Sequence, residues 1–186
     1  MEIIQEKLSR ILSPIRYRHS QGTCEVAKDL AVIYGVNEDK AGKAGILHDC
    51  ARFLSDEELI MECRKKHLPI SKIELECPFL LHAKLGAYYA GKIYGVKDTD
   101  VLDAITYHTT GRPGMTLLEK IIFVADYIEP YRKNKTAINE IRLVAYNELD
   151  KAVFMILENN IKYLKTNNLV IDERTIETYQ YMAQAK

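Results

Sequence analysis

The stretch Gly45-Ile46-Leu47-His48-Asp49-Cys50-Ala51-Arg52 places a histidine and an aspartate side by side in apolar surroundings. Upstream of it, Asn37 can cap a helix, and the apolar residues from Ala41 to Phe53 follow helical spacing. His48 and Asp49 are therefore predicted to lie within this third helix of the chain. Consecutive residues diverge by about 100° around a helix axis, which permits the two side chains to share a metal ion without demanding it.

The rest of the chain also carries helical patterns rather than strand patterns. Two capping-box signatures, Ser55 with Glu58 and Thr116 with Glu119, mark helix starts. Strand-like alternation is almost absent, and only residues 169–171 resemble a short strand. The predicted helical segments are 1–12, about 18–34, 37–53, a helix from 55, 79–94, 98–107, 116–130, 136–165 and a short helix after 172. Residues 69–78 are predicted to be irregular.

These patterns predict an all-α fold in one domain, residues 1–186. Its motif-bearing core runs from about residue 16 to 132, and C-terminal helices from about 136 to 186 form a helical pair packed on it. Val153, Ile156, Leu157, Ile161 and Leu164 give these helices an apolar face that either packs within the chain or forms a homodimer surface.

The composition argues against several classes of protein. Lys plus Arg number 26 and Asp plus Glu number 26, so the basic surplus typical of nucleic-acid-binding proteins is absent. The longest purely apolar run is six residues, Ala152 to Leu157, against the ~20 that a membrane span requires. Charged residues interrupt the first helix, which is unlike a signal peptide. We expect a cytoplasmic protein without a nucleic-acid or membrane partner.

Several common catalytic motifs are missing from the sequence. It has no Gly-rich phosphate loop and no Gly-x-Ser-x-Gly elbow. The four cysteines form no Cys-x-x-Cys pair, so we interpret them as small hydrophobic residues. The remaining candidates for chemistry are the histidines and the carboxylates near them.

The histidines occupy suggestive places in the predicted helices. His19 opens the second helix, His82 lies early in its helix, and His108 ends a helix before the loop 109–114. Asp126 lies in the apolar run 121–128, whereas His67 lies in a charged stretch and is predicted to be a surface residue. Helical bundles build metal sites from such inward-facing side chains, and nitrogen with carboxylate oxygen suits iron, manganese, cobalt or zinc.

A structural explanation exists for each of these residues. A single histidine in a helix is more often a buried, hydrogen-bonded side chain than a metal ligand. Asp126 falls about 40° past Ile122 on a helix, at the edge of the apolar arc. Spacing alone therefore allows a solvated Asp126 as readily as a buried ligand, and it leaves the metal site open.

The sequence around these residues resembles a known family. The relevant segments are Arg16-Tyr17-Arg18-His19-Ser20, Gly45 to Arg52, Leu81-His82 with Gly86-Ala87, Tyr107 to Arg112, and the string from Met115 to Arg132 with Ala125-Asp126-Tyr127-Ile128-Glu129-Pro130. A lone histidine, a His-Asp pair and a distant aspartate on helices resemble the HD superfamily of metal-dependent phosphohydrolases. The segments are similar to its bacterial YqeK-type branch, whose members hydrolyse diadenosine tetraphosphate symmetrically to two ADP.

The resemblance implies an HD-domain helical bundle with six metal ligands. His19, His48, Asp49 and Asp126 would hold one ion, and His82 with His108 would complete a neighbouring position bridged by Asp49. The metal in that family is usually iron, bound as one or two ions. The resemblance further implies attack of a metal-activated water on an inner phosphorus atom, so Asp49 is counted among the catalytic residues.

Binding of a small nucleotide substrate also needs positive charge and hydrogen-bond donors. Arg52 is the best candidate for a catalytic contact with phosphate, because guanidinium geometry suits bidentate phosphate binding. The family more often has lysine at this position. Arg16, Arg112 and Arg132 are weaker candidates, and Arg112 and Arg132 are better explained as solvated surface side chains. Thr109 and the backbone at Gly111 could add hydrogen bonds. Residues 131–135 lack the Gly/Pro-containing loop that commonly follows the Glu-Pro of the family.

Other functions remain compatible with these residues. The same site could act on a nucleoside di- or triphosphate or on a cyclic nucleotide. A metal- or nucleotide-binding sensor without turnover is the alternative outside the enzymes.

Overall fold

The structure is a computed structural model that describes residues 1–132 and 136–184, without the side chains of residues 136 and 137. Within these residues the chain is all-α, as predicted, with eleven α-helices and a 3-10 turn at Pro78–Leu80. The helices are α1 Glu2–Ile11, α2 Pro14–Ile33, α3 Glu38–Leu47, α4 Asp56–Lys65, α5 Lys72–Glu76, α6 Leu81–Lys92, α7 Thr99–Tyr107, α8 Leu117–Ile128, α9 Thr136–Ala145, α10 Leu149–Thr166 and α11 Glu173–Gln184. Two parts of the sequence prediction lie outside the described residues: positions 133–135 of the segment that lacks the family's Gly/Pro-containing loop, and the last two residues of the predicted domain.

The second helix begins earlier than predicted. Ser13 caps it by accepting a hydrogen bond from the Arg16 N–H, and Pro14 occupies the first helical position, where proline is well tolerated. Pro14 thus ends α1 and opens α2. His19 consequently lies in the second turn of α2 and does not open the helix.

The third helix ends earlier than predicted, before the His-Asp pair. His48 is the C-terminal cap residue of α3, and tight backbone hydrogen bonds from Cys50 to Leu47 and from Arg52 to Asp49 turn the chain there. The prediction that His48 and Asp49 lie within the helix is therefore wrong. The turn frees both side chains to face the same centre.

Three further boundaries differ from the sequence prediction. The segment 69–78 contains the short helix α5, and the described part of the chain contains no strand at 169–171. The segment 136–165 forms two helices, because the Asn147 backbone N–H donates to Val144 and its side chain donates to Leu143, closing α9. The C-terminal unit therefore has three helices, α9 to α11, and not a pair.

The helices that carry the histidines pack against each other in one group. Helix α2 packs on α3 and α8, α7 packs on α3, α6 and α8, and α10 lies on α8, α9 and α11. A single hydrophobic cluster extends from Leu8 to Met182. Val153, Ile156, Leu157 and Ile161 are buried in this cluster or beside it, so much of the apolar face of α10 packs within the chain.

A glycine sets the distance between the first two ligand-bearing helices. A Cβ atom at Gly45 would lie 2.9 Å from the Cys24 Cα, closer than side-chain carbons come to a backbone. Only glycine therefore lets α3 approach α2 at this point, one turn before His48.

No helix in the described residues is long and apolar enough to cross a membrane.

Candidate metal centre

Six side chains from three helices and from the turns that follow two others converge in the middle of this group. His19 comes from α2, His48 and Asp49 from the turn after α3, His82 from α6, His108 from the residue after α7, and Asp126 from α8. The first five are at most 8% exposed, and the Asp126 side chain is 22% exposed. The structure thus brings together the whole set of residues that the resemblance implied as ligands. His67, by contrast, is exposed.

The four imidazoles meet in two pairs through their Nε2 atoms. The Nε2 atoms of His19 and His48 are 3.1 Å apart, and those of His82 and His108 are also 3.1 Å apart. Metal–nitrogen bonds of about 2.1 Å in tetrahedral or octahedral geometry place two ligand nitrogens roughly 3.0–3.4 Å apart. The spacing of each pair therefore fits ligands of a common ion.

The opposite ring nitrogens fix which tautomer three of these histidines adopt. The Nδ1 of His48 lies 2.7 Å from the Gly45 carbonyl oxygen, and that of His108 lies 2.7 Å from the Ile105 carbonyl oxygen. The Nδ1 of His82 contacts the Phe79 carbonyl in the same way. A carbonyl only accepts, so in the neutral form of each imidazole Nδ1 carries the proton and Nε2 presents a lone pair. Two lone pairs that face each other across 3.1 Å call for a cation between them.

Asp49 lies between the two histidine pairs. Its Oδ2 is 3.6 Å from His19 Nε2 and 3.5 Å from His48 Nε2, while its Oδ1 is 3.3 Å from His82 Nε2 and 3.8 Å from His108 Nε2. Each carboxylate oxygen thus faces one pair. Asp126 is closer to the first pair, with Oδ1 3.0 Å from His19 Nε2.

The electrostatics keep the carboxylates ionised and two histidines neutral. Burial alone would raise the pKa of Asp49, but His48, His82 and His108 lower it well below its usual range. Burial alone would also raise the pKa of Asp126, but the Arg132 charge and a hydrogen bond from His19 lower it below its usual range. Burial lowers the pKa of His82, and burial beside the imidazoles of His48 and His82 lowers that of His108 to about 3. Ionised carboxylates and neutral imidazoles are the forms that bind metals.

The sequence matches the HD domain family model over residues 16–131. The chain belongs to the HD domain family. The match begins three residues before His19 and ends five residues after Asp126, so it contains all six converging side chains.

This HD domain is similar to named proteins and a solved structure from several bacteria. A Halalkalibacterium halodurans protein named symmetrical bis(5'-nucleosyl)-tetraphosphatase is 43% identical, over 92% of this chain and 90% of that protein. A Bacillus subtilis protein of the same name is 40% identical, over 92% and 91%. A crystal structure of a predicted HD superfamily hydrolase involved in NAD metabolism, from Clostridium acetobutylicum, is 39% identical and superposes with a TM-score of 0.95, covering 100% of this chain and 97% of that one.

HD domains depend on a divalent metal, and the donor set here fits one. The cluster supplies four imidazole nitrogens and two carboxylates and contains no thiolate, a set suited to several first-row metals.

His19 differs from the other histidines of this HD domain. Its Nδ1 lies 3.2 Å from Glu129 Oε1 rather than from a backbone carbonyl. Burial opposes protonation, but hydrogen bonds to Asp126 and Glu129 raise the pKa of His19 to about 9. Metal binding at Nε2 therefore requires loss of a proton there. No role for Glu129 is predicted from the sequence, because only the fold shows that it contacts His19.

Two arginines contact the carboxylates of the cluster. Arg16 Nη1 is 2.7 Å from Asp49 Oδ2, and Arg132 Nη2 is 2.9 Å from Asp126 Oδ1. Arg112 instead forms ion pairs with Asp103 and the buried Glu119. Arg112 is therefore tied to the start of α8, away from the metal ligands.

Arg52 has a different environment from these three arginines. Its guanidinium lies 6.0 Å from the Phe79 ring centre, and the Phe79 ring stacks beside His82. No carboxylate within the described ranges, 1–132 and 136–184, forms an ion pair with it. A guanidinium beside the cluster without a carboxylate partner is available for an anionic ligand.

The two residues predicted from the loop after α7 lie in different surroundings. Thr109 Oγ1 is 3.3 Å from His108 Nε2 and 3.5 Å from His82 Nε2, at the edge of the cluster. Gly111 is buried, its N–H donates to Tyr107, and a Cβ there would meet Thr178 of α11. The Gly111 amide is thus already used within the fold.

Proposed function

We propose that this HD domain hydrolyses dinucleoside tetraphosphates symmetrically and cleaves diadenosine tetraphosphate to two ADP. The observation that carries the proposal is the convergence of six donors, His19, His48, Asp49, His82, His108 and Asp126, around one centre. The relatives named as symmetrical tetraphosphatases, at 43% and 40% identity, supply the substrate class.

The metal requirement of this reaction follows from the arrangement of the donors. We assign His19, His48, Asp49 and Asp126 to one ion and His82 with His108 to a neighbouring one, with Asp49 as the bridge. Its two oxygens, each facing one histidine pair, support this assignment. Paired cations lower the pKa of water and bind phosphate oxygens, which offsets charge that develops during phosphoryl transfer. We propose iron as the bound metal, and manganese, cobalt or zinc would suit the same donors.

The protein's own residues then bind and orient the tetraphosphate. Arg52 is placed to contact phosphate oxygens, and Thr109 can donate a hydrogen bond at the edge of the cluster. Arg16 and Arg132 lie close enough to contribute further positive charge. A water oxygen bonds to one inner phosphorus, the bond from that phosphorus to the central bridging oxygen breaks, and two ADP leave. The proton released from water passes to solvent.

The experiment that tests this function is chromatography of diadenosine tetraphosphate after incubation with the protein, with and without a chelator. ADP as the sole product, lost on chelation, would support both the reaction and the metal. AMP with ATP would overturn symmetric cleavage. NAD is the comparison substrate because one structural relative is described as involved in NAD metabolism, and we expect it to be cleaved far more slowly.

Asp49→Ala tests the assignment of the metal ligands. We expect it to abolish turnover and release the metal while the helical circular dichroism spectrum is kept, because Asp49 faces all four imidazoles. Asp150→Ala is the matched control, since Asp150 is an exposed carboxylate in a surface ion pair, which contributes little to stability. Retained activity in Asp49→Ala would refute the assignment.

Arg52→Ala tests the phosphate contact separately from the metal. We expect kcat/KM to fall about tenfold to a hundredfold, the effect of losing a charge-assisted hydrogen bond. Metal content should stay unchanged, and Arg52→Lys should recover part of the activity because it restores the charge without the guanidinium fork. The exposed Arg64→Ala serves as control. Loss of metal from Arg52→Ala would instead make Arg52 a support of the ligands.

The wider organisation of the protein is also proposed. We regard residues 1–186 as one domain, supported by the single hydrophobic cluster from Leu8 to Met182. We also propose a cytoplasmic location, and the balanced charge of the sequence argues against a nucleic-acid partner. A homodimer would need a surface other than Val153, Ile156 and Leu157, which are buried within their own chain.

A further inference from the structure

A cavity of about 540 Å³ opens beside the metal-binding cluster, on the side of His82 and His108. Thr109 belongs both to its lining and to the edge of the cluster, and Phe79 lines it while stacking beside His82. A larger cavity of about 620 Å³, lined by Tyr34 and Phe154 among others, shares no residue with the cluster. The smaller cavity is therefore the one whose contents would reach the reacting phosphates.

The walls of this cavity suit an aromatic ligand rather than a charged one. Tyr163, Leu169, Val170 and Phe79 line it, and each of these large apolar side chains is between 39% and 58% exposed. Polar groups lie among them, including Asn160, whose amide has no hydrogen-bond partner in residues 1–132 or 136–184. Sites for small molecules typically combine apolar walls with a few polar groups in volumes of about 300–1,000 Å³.

Charged side chains of both signs lie around the cavity. The end at Phe79 has the Arg52 guanidinium 6.0 Å from the ring centre. Glu76 and Asp172 line the cavity as well, and their carboxylates repel phosphate but accept hydrogen bonds from hydroxyl or amino groups. Phosphates are thus favoured near the metal ligands, and an uncharged hydroxyl- and amine-bearing group is favoured inside the cavity.

We infer that this cavity, between the Phe79 turn and the C-terminal half of α10, binds the nucleoside of one half of the substrate. The base lies against Tyr163, and the phosphates extend past Thr109 to Arg52 and the metal ligands. This inference rests on the proposed function for the identity of the nucleotide, but the cavity itself is tested by binding alone.

The test measures binding of ADP and of inorganic tripolyphosphate to the manganese-loaded protein by calorimetry. Tyr163→Ala removes an aromatic wall and Leu164→Trp fills the cavity, while Tyr181→Ala, at a similarly exposed helical tyrosine that does not line it, is the control. We expect both cavity variants to weaken ADP binding by about tenfold or more, as loss of a base–aromatic stack does. Tripolyphosphate binding, metal content and the helical spectrum should stay as in the wild type.

Two results would overturn the inference. ADP binding could be unchanged in both cavity variants, or tripolyphosphate binding could weaken as much as ADP binding. The inference and the proposed function fail separately. If the wild type cleaves diadenosine tetraphosphate but both cavity variants bind ADP as the wild type does, only the assignment of the cavity is refuted. If Tyr163→Ala weakens ADP binding but the wild type does not cleave the tetraphosphate, only the proposed function is refuted.

Discussion

Glu129 holds the histidine that lacks a backbone partner for its Nδ1. Its side chain is 2% exposed, and its two oxygens contact His19 Nδ1 at 3.2 Å and the Tyr131 N–H at 2.6 Å. A hydrogen-bond acceptor at the Nδ1 of a ligand histidine fixes the orientation of the ring and raises the basicity of the Nε2 that binds the metal. Glu129 therefore acts as a positioning residue for His19.

Gly22 leaves the space that Glu129 needs. It lies nearly one helical turn after His19, and a Cβ there would be 2.8 Å from Glu129 Oε2, 2.9 Å from Tyr131 Cδ2 and 3.1 Å from Pro130 Cδ. The Glu129 carboxylate is held on one side by the Tyr131 N–H, so it would have to move away from His19. The requirement for glycine at this position thus comes from the segment Glu129-Pro130-Tyr131 packed against α2, which includes the partner of His19, and not from the backbone of α2.

Gly22→Ala is expected to weaken metal binding by about tenfold to a hundredfold, the usual effect of losing an outer partner of a ligand histidine. The measurement is competition for manganese with a chelator of known affinity. Gly91→Ala is the matched control, because its Cβ would meet no atom closer than 3.6 Å and it also lies in a helix. Glu129→Gln should lose less affinity than Glu129→Ala, since the amide oxygen still accepts. Unchanged metal affinity in Gly22→Ala would contradict this role.

Helix α5 lies just before α6 in the chain and is tied to it by an ion pair. It has a complete capping box, in which Ser71 accepts from the Glu74 N–H and Glu74 accepts from the Ser71 N–H. Glu74 also lies 2.8 Å from Lys84 Nζ on α6, one turn beyond the beginning of the helix that carries His82. The sequence signal Ser71-x-x-Glu74 was available, but residues 69–78 were predicted to be irregular.

Glu74→Gln is expected to lower the free energy of unfolding in a pH-dependent way. Burial alone would raise the pKa of Glu74, but the hydrogen bond from Lys84 and those at Ser71 lower it below its ordinary value of 4.5. A lowered pKa in the folded state means that the carboxylate stabilises the protein above pH 4.5 and that this contribution is lost as the pH falls further.

The measurement for Glu74→Gln is urea unfolding of wild type and variant at pH 7 and at pH 4. We expect a clear difference at pH 7 that shrinks at pH 4. The control is Glu58→Gln, because Glu58 closes a similar capping box on α4 but, within the described residues, forms no ion pair with a lysine. A difference between wild type and Glu74→Gln that grows as the pH falls would contradict the role assigned to the ionised carboxylate.

At the scale of the whole molecule, the sequence predicted the helices better than the site. Capping residues and apolar spacing are local, and they predicted the capping boxes of α4 and α8 and the all-α class, which the structure confirms. The end of α3 at Leu47 was missed because the turn at His48 depends on packing against other helices. Spacing left Asp126 at the edge of an apolar arc, and only the packing of α8 on α2 places it 3.0 Å from His19. The ligand set came from the family resemblance and not from periodicity.

Without a bound cation, the cluster would concentrate unfavourable interactions in the centre of the fold. The Nε2 lone pairs of His82 and His108 face each other at 3.1 Å, and two ionised carboxylates, the buried Asp49 and the half-buried Asp126, lie among the imidazoles. Buried polar groups without partners and closely spaced charges both reduce stability. A cation at this position satisfies the lone pairs and the carboxylates together, so metal binding and folding are coupled through the helices α2, α3, α6, α7 and α8.

Removal of the metal is therefore expected to lower the melting temperature of the whole protein. Free metal at about 100 times its Kd stabilises the folded state by ~2.7 kcal/mol, which corresponds to roughly 5–10 °C for a chain of this size. Differential scanning calorimetry with manganese and after chelation measures the shift. Asp49→Ala should melt at the same temperature in both conditions, whereas His67→Asn, at an exposed histidine, should keep the full shift. An equal shift in Asp49→Ala would mean that the metal stabilises the protein from a different site.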